Sequence, residues 1–215
     1  VGWGGLAQAF DVKNESWKKE YAELKSLLST EDYEQARSST LNAYYTAKDV
    51  IEGIYSALNR FGVKGNNRIL EPAMGTGNFF GFMPKEIAEG SRLYGVELDN
   101  LTGRIAAKLY PQENVQIKGF EDTTFPNDKF DVVVGNVPFG CYGVADPDYN
   151  RYNFKVHDYF LAKSIDKVRP GGIVAIVTSK GTMDKLNPSA RKYVAERAEL
   201  LGAIRLPNNA FKQTA

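Results

Sequence analysis

Cysteine and histidine occur once each in this 215-residue chain, as Cys141 and His157. A single cysteine excludes a disulfide framework, and the pair is too few for a Cys/His metal cluster, so no metal site is expected. Charge of one sign is also missing: 27 Lys+Arg stand against 26 Asp+Glu, a net charge of +1. Such a chain has no bulk positive excess with which to hold a polyanion, so any basic patch must be local. Long hydrophobic runs are absent; the longest, Ile173 to Val177, falls far short of the roughly 18 apolar residues of a membrane span. The N-terminus has no charged-then-apolar signal pattern, and a cytoplasmic location is expected. There are no internal repeats and no low-complexity tracts. What is present is 43% hydrophobic residues with 12% aromatics, enough for a substantial core and incompatible with a disordered chain.

Periodicity divides the chain in two. Trp17, Tyr21, Leu24, Leu27 and Leu28 recur at helical spacing, and Ser29 ahead of Thr30-Glu31-Asp32 suits the cap of a second helix. Residues 1–40 are therefore expected to form a helical extension, and a third helix is expected over Ala47 to Leu58, ending near Gly62. After Gly65 short apolar runs alternate with amphipathic ones. Strands are expected over Arg68–Glu71, Arg92–Glu97, Val115–Lys118, Phe130–Gly135, Gly172–Thr178 and Leu200–Leu206. Helices are expected over Gly77–Glu89, Leu101–Tyr110, Asp158–Val168 and Pro188–Ala198. Apolar strands alternating with helices imply a doubly wound, mostly parallel α/β sheet covered on both faces, spanning residues 41–215.

Chemistry concentrates where strands end. Glu71-Pro72-Ala73-Met74-Gly75-Thr76-Gly77 follows the first strand and precedes a helix, so glycines let backbone approach a ligand at a helix N-terminus. A dinucleotide fingerprint would need a third glycine where Phe80 stands. An acidic residue before the glycines instead suits a ligand carrying an ammonium group. S-adenosylmethionine carries one, beside a carboxylate. Glu97, at the end of the second strand, is placed to accept from both ribose hydroxyls, with Leu98 against the adenine face. Glu121 or Asp122, after the third strand, is a candidate acceptor for the adenine amino group.

The fourth strand delivers Asn136-Val137-Pro138-Phe139 at its carboxyl end. Here the chain resembles the S-adenosylmethionine-dependent amino-methyltransferases with an Asn/Asp/Ser-Pro-Pro-aromatic motif, and within them the DNA adenine-N6 methyltransferases; Val137 replaces the first proline. An exocyclic amine is a poor nucleophile because its lone pair is delocalised into the ring. Two acceptors, the Asn136 side-chain oxygen and the Val137 carbonyl, would hold its N–H groups so that the lone pair points at the methyl. Phe139 would stack on a base flipped from the duplex. The resemblance implies that Thr46, in Tyr44-Tyr45-Thr46, contacts the methionine end of the cofactor, and that Phe211 closes over the flipped base. It makes the segments from His157 and Pro170 a pocket wall. The expected cofactor set is thus Thr46, Glu71, Pro72, Ala73, Gly75, Gly77, Phe79, Glu97, Leu98, Glu121 and Asn136.

Val1-Gly2-Trp3-Gly4-Gly5-Leu6 and Thr178 to Lys185 extend the resemblance to the methyltransferase region of large helicase-methyltransferases of conjugative mobile elements. That likeness implies a motif order of the γ type, DNA as partner, helicase and recognition regions beyond this chain, and one further antiparallel strand that the chain does not supply. Cys141 does not follow the proline directly, as a cytosine-C5 nucleophile would, and is read as incidental; His157 is read as a packing or helix-start residue. Basic residues between Gly181 and Lys212 suit either phosphate contacts or a solvated helix face. Amino-methylation of cytosine N4, RNA or a protein glutamine, or a non-catalytic cofactor- or DNA-binding module, are the alternatives.

Overall fold

The computed structural model describes residues 3, 6–40, 45–207 and 210–211, with backbone alone at 38 and 39. Val1, Gly2, Gly4, Gly5, Tyr44 and Lys212, used above, lie outside the described residues.

Two helices come first, α1 (Lys18–Leu27) and α2 (Thr30–Ser39). Ser29 caps α2 as expected, its side chain accepting from the Asp32 amide. Phe10, Tyr33 and Ala36 form a small core here, with Trp3, Trp17 and Tyr21 packed against it. Helix α3 (Lys48–Arg60) leads to β1 (Arg68–Glu71), then α4 (Asn78–Gly81), α5 (Lys85–Ala88) and β2 (Arg92–Glu97). Next come α6 (Asn100–Leu109), β3 (Asn114–Ile117), β4 (Phe130–Asn136), α7 (Val156–Lys167) and β5 (Val168–Val177). Short helices α8 (Gly181–Asp184) and α9 (Ser189–Ala195) follow.

The five strands are all parallel, in the order β3-β2-β1-β4-β5. Successive β4 side chains go to opposite faces. Val133 joins the core under α7 and α9 with Leu70 and Tyr159, while Val132 and Val134 join the core under α3 and α6 with Ile69 and Tyr55. Each fully buried Val or Leu contributes about 1.5–3 kcal/mol, which is why β4 is apolar at nearly every position. The order in which strands are added reverses between β1 and β4, so their carboxyl ends open a crevice at the switch point.

Three expectations fail. The single helix expected over Gly77–Glu89 is two single-turn helices, because Pro84 removes an amide and disfavours helical geometry at Met83. Strand β5 starts at Val168 rather than Gly172, its Arg169–Gly172 segment absorbed by a register shift between Phe130 and Val132. Residues Leu200–Leu206 form no strand. Their backbone pairs with no neighbour among the described residues, and Leu200, Leu201 and Ile204 are exposed. Apolar content alone does not make a strand without a ladder partner.

Candidate active site

At the β1 end the chain leaves Glu71 through a tight turn. Gly75 and Gly77 have φ of +56° and +84°, in the left-handed region where a side chain is strained. The turn is bound to β2 through its backbone. Met74 donates its amide to the Val96 carbonyl at 2.9 Å, and Gly75 donates its amide to Glu97 Oε2 at 2.8 Å. The second oxygen of Glu97 accepts from the Asp99 amide at 2.8 Å. Burial pushes the Glu97 carboxyl up, and these amide hydrogen bonds pull it back.

Glu71 is buried, and its Oε2 accepts no hydrogen bond from the described residues. Burial lifts its carboxyl well above the ordinary range, and the neighbouring Glu97 charge adds to this. Gly135 of β4 lies close alongside: a Cβ there would stand 3.3 Å from Glu71 Cγ. Tyr45 covers the turn, 3.9 Å from where a Gly75 Cβ would be; burial, with Glu97 and Asp99, pushes its hydroxyl up to about 12. Thr46 is buried beside it in sequence. The helix expected to lend a positive end to this turn is the single-turn α4, and the Met74, Gly75 and Gly77 amides are already bonded, to Val96, Glu97 and Met74 respectively.

Of the expected cofactor set, Phe79 is placed differently. Its ring is buried in the core beneath α3, against Tyr55, and its carbonyl accepts from the Tyr55 hydroxyl at 2.8 Å. Its side chain therefore packs the fold rather than facing the crevice. Leu98 is exposed at the rim, Glu121 is half-buried, and Asp122 is exposed.

At the β4 end Asn136 pairs in register with Val177, and Val137 donates its amide to the Val177 carbonyl at 3.1 Å. Phe139 meets Phe211 edge to face, with ring centroids 6.3 Å apart, which brings together the two aromatics assigned to the target base. Behind them Asp158 is fully buried and ion-paired with Lys185, with His157 beside it. Burial lowers the His157 pKa, which fits a neutral packing residue. The basic residues after Gly181 are largely consumed internally: Lys185 by Asp158, Arg205 by both oxygens of Asp184, and Arg197 by Asp166. The structure also brings in residues that sequence reasoning did not single out. Tyr110 donates its hydroxyl to the Gly77 carbonyl at 2.7 Å, and Asp146 accepts from Tyr159 and Lys163. Neither carries a local sequence signal, since each partner is remote in the chain.

A parallel sheet in this order, with a glycine turn and acidic strand ends at the switch point, defines a Rossmann-like class I methyltransferase fold. A putative class I S-adenosylmethionine-dependent methyltransferase from Listeria monocytogenes shares it, with a TM-score of 0.65 over 99% of this chain and 76% of that one, at 18% identity. The chain belongs to the N-6 DNA methylase family, whose model matches residues 27–215. It is 33% identical over 195 residues to the Defense against restriction protein B of Escherichia phage P1, covering 88% of this chain and 8% of the phage protein. It is 32% identical over 156 residues to the modification methylase CviBIII of Paramecium bursaria Chlorella virus NC1A, covering 69% of this chain and 41% of that protein. The chain thus spans less than half the length of either relative.

As a member of that family the chain has the methyltransferase fold, with S-adenosylmethionine as its cofactor. The crevice suits that molecule. The unused Glu71 Oε2 is an acceptor for an ammonium group, the glycine turn admits a close backbone approach, and each Glu97 oxygen keeps a second lone pair for a ribose hydroxyl.

Proposed function

We propose that this chain carries the catalytic centre for methylating N6 of adenine in DNA, within a larger protein that also supplies helicase and recognition regions. The observation that carries this reading is the Asn136-Val137-Pro138-Phe139 segment at the end of β4, with Glu71 behind it and the Phe211 ring against Phe139.

The cofactor supplies an electrophilic methyl group on a positively charged sulfur. Thr46, Glu71 and the Gly75–Gly77 turn hold its amino-acid end, while Glu97, Leu98 and Glu121 hold the nucleoside end. Phe139 and Phe211 take the two faces of the flipped adenine. The Asn136 side-chain oxygen and the Val137 carbonyl accept its two N–H groups, concentrating the lone pair on nitrogen and stabilising the positive charge that grows there. Catalysis is then positioning and electrostatics, with no side-chain nucleophile.

Transfer of labelled methyl to DNA by the full-length protein, followed by nucleoside analysis, tests this reading. N6-methyladenine is expected. Label only at cytosine N4, or only on RNA or protein, overturns it.

A further inference from the structure

Beyond Phe139 the chain does not go straight into α7. Residues 140–155 wrap a cavity of about 280 Å³, lined by Tyr142, Tyr149, Asn150, Asn153, Lys155 and Tyr159 among others. This lies just below the roughly 300–1,000 Å³ range of small-molecule clefts, room for one nucleotide at most rather than a duplex.

The floor and the rim of the cavity differ. In the floor, the Tyr159 hydroxyl donates to Asp146 at 2.8 Å, Lys163 donates to the same carboxylate at 2.9 Å, and the Tyr149 hydroxyl donates to Asp166 at 2.6 Å. Those polar groups are committed to holding the loop on α7. The rim is not so committed. Lys155 is exposed, and its polar contact is a 3.8 Å approach to Cys141 Sγ; it has no ion-pair partner among the described residues. Tyr142 is 48% exposed, and its ring lies against Gly140, where a Cβ would stand 2.4 Å from it. The Tyr142 carbonyl accepts the amide of Val156, the first residue of α7, so the positive end of a twelve-residue helix also faces this rim. Burial, with the Glu121 charge, pushes the Tyr142 hydroxyl up, leaving a neutral ring with an aromatic face.

An aromatic face, an ammonium group with no ion-pair partner among the described residues, and side-chain amides, all three to sixteen residues beyond Phe139, match the parts of a nucleotide. When one base leaves the stack, its neighbour on the same strand loses a stacking partner. We propose that the cavity receives that neighbouring nucleotide, with Tyr142 stacked on its base and Lys155 paired with its phosphate. This rests on the adenine-DNA reading above.

The test uses the full-length protein and an oligonucleotide carrying a site that the wild type methylates. Tyr142→Ala is expected to raise KM for DNA about tenfold through lost stacking, with kcat within about twofold. Tyr142→Phe, which keeps the ring, should behave as wild type. Lys155→Ala should raise KM and reduce the salt slope of DNA binding by about one. Cofactor affinity and melting temperature should not move for either exposed position. An abasic residue at one neighbour of the target should impair the wild type as Tyr142→Ala does, and should add little to that variant. Wild-type KM in Tyr142→Ala and Lys155→Ala, or an abasic penalty that adds in full to Tyr142→Ala, overturns the cavity assignment alone. A wild type that methylates no DNA overturns the adenine reading and the cavity assignment with it.

Discussion

At the Glu71 end of the crevice, the contacts that shape the site are made largely to backbone: Gly75 and Asp99 amides on Glu97, Met74 on Val96, Tyr110 on the Gly77 carbonyl. At the Asn136 end, side chains do the work across long sequence separations. Asp146 is held by Tyr159 and Lys163, Asp166 by Tyr149 and Tyr193, Asp158 by Lys185, and Phe139 by Phe211. On the proposed function the first end binds a constant molecule, and it is set by a short turn whose geometry a few glycines dictate. The second would then have to admit a polymer, and it is assembled from parts delivered by α7, the loop before it and the chain after β5. The first should therefore tolerate change outside its turn, whereas the second should fail when single buried charges are removed.

The largest expected effect falls on the second end. Asp146→Ala strands the buried Lys163 ammonium and should cost about 3–5 kcal/mol of unfolding free energy, read by urea denaturation. A loss below about 1 kcal/mol would mean that the loop is not held by this pair. Asn136→Ala should lower kcat about 100- to 1,000-fold while cofactor affinity by calorimetry stays within about twofold. A large fall in affinity instead would merge the two ends into one. Glu97→Ala should do the opposite. It frees two amides at a cost of about 1–3 kcal/mol and weakens cofactor binding before it touches methyl transfer to bound DNA, as single-turnover kinetics at saturating cofactor would show.

The smallest change concerns Glu71. Because burial holds its folded-state pKa above the unfolded one, the contribution of Glu71 to the stability of the cofactor-free protein is fullest below the ordinary carboxylate range and is lost as pH rises through the folded-state value. Glu71→Gln should remove that slope, so that it melts above the wild type towards about pH 8 and converges with it towards about pH 5. The same variant should bind cofactor less well, since it lacks the charge that meets an ammonium group. Melting curves of both proteins across that range, with and without S-adenosylmethionine, separate the two effects; a cofactor-free difference between wild type and Glu71→Gln that does not change with pH would remove Glu71 from this role.

How much of this was legible follows the same division. The limits of β1 and β2 are those read from periodicity, and Glu71, Gly75, Gly77 and Glu97 meet because strand ends and a glycine turn fix their places by local rules. Asn136 and Phe139 were visible for the same reason, at the end of an apolar run. Phe79 was misread because which way an aromatic turns from a one-turn helix depends on α3 packing above it. Leu200–Leu206 was misread because a strand is a property of a pair of segments. Of the floor of the 280 Å³ cavity only Tyr159 lay in a segment the resemblance picked out; Asp146 and Tyr149 look like ordinary loop residues until the loop folds back.

Gly77 has one further consequence, for descent rather than chemistry. A Cβ there would stand 2.3 Å from the Tyr110 ring, whose hydroxyl is bonded to the Gly77 carbonyl. Neither residue can be exchanged without the other being disturbed, although a strand and three helices separate them. A lineage that enlarges position 77 must first shrink position 110 and so give up the hydrogen bond that steadies the turn. The route through sequence space between a glycine-turn crevice and some other crevice on this sheet therefore passes through a weakened intermediate, and the two positions are expected to be inherited together.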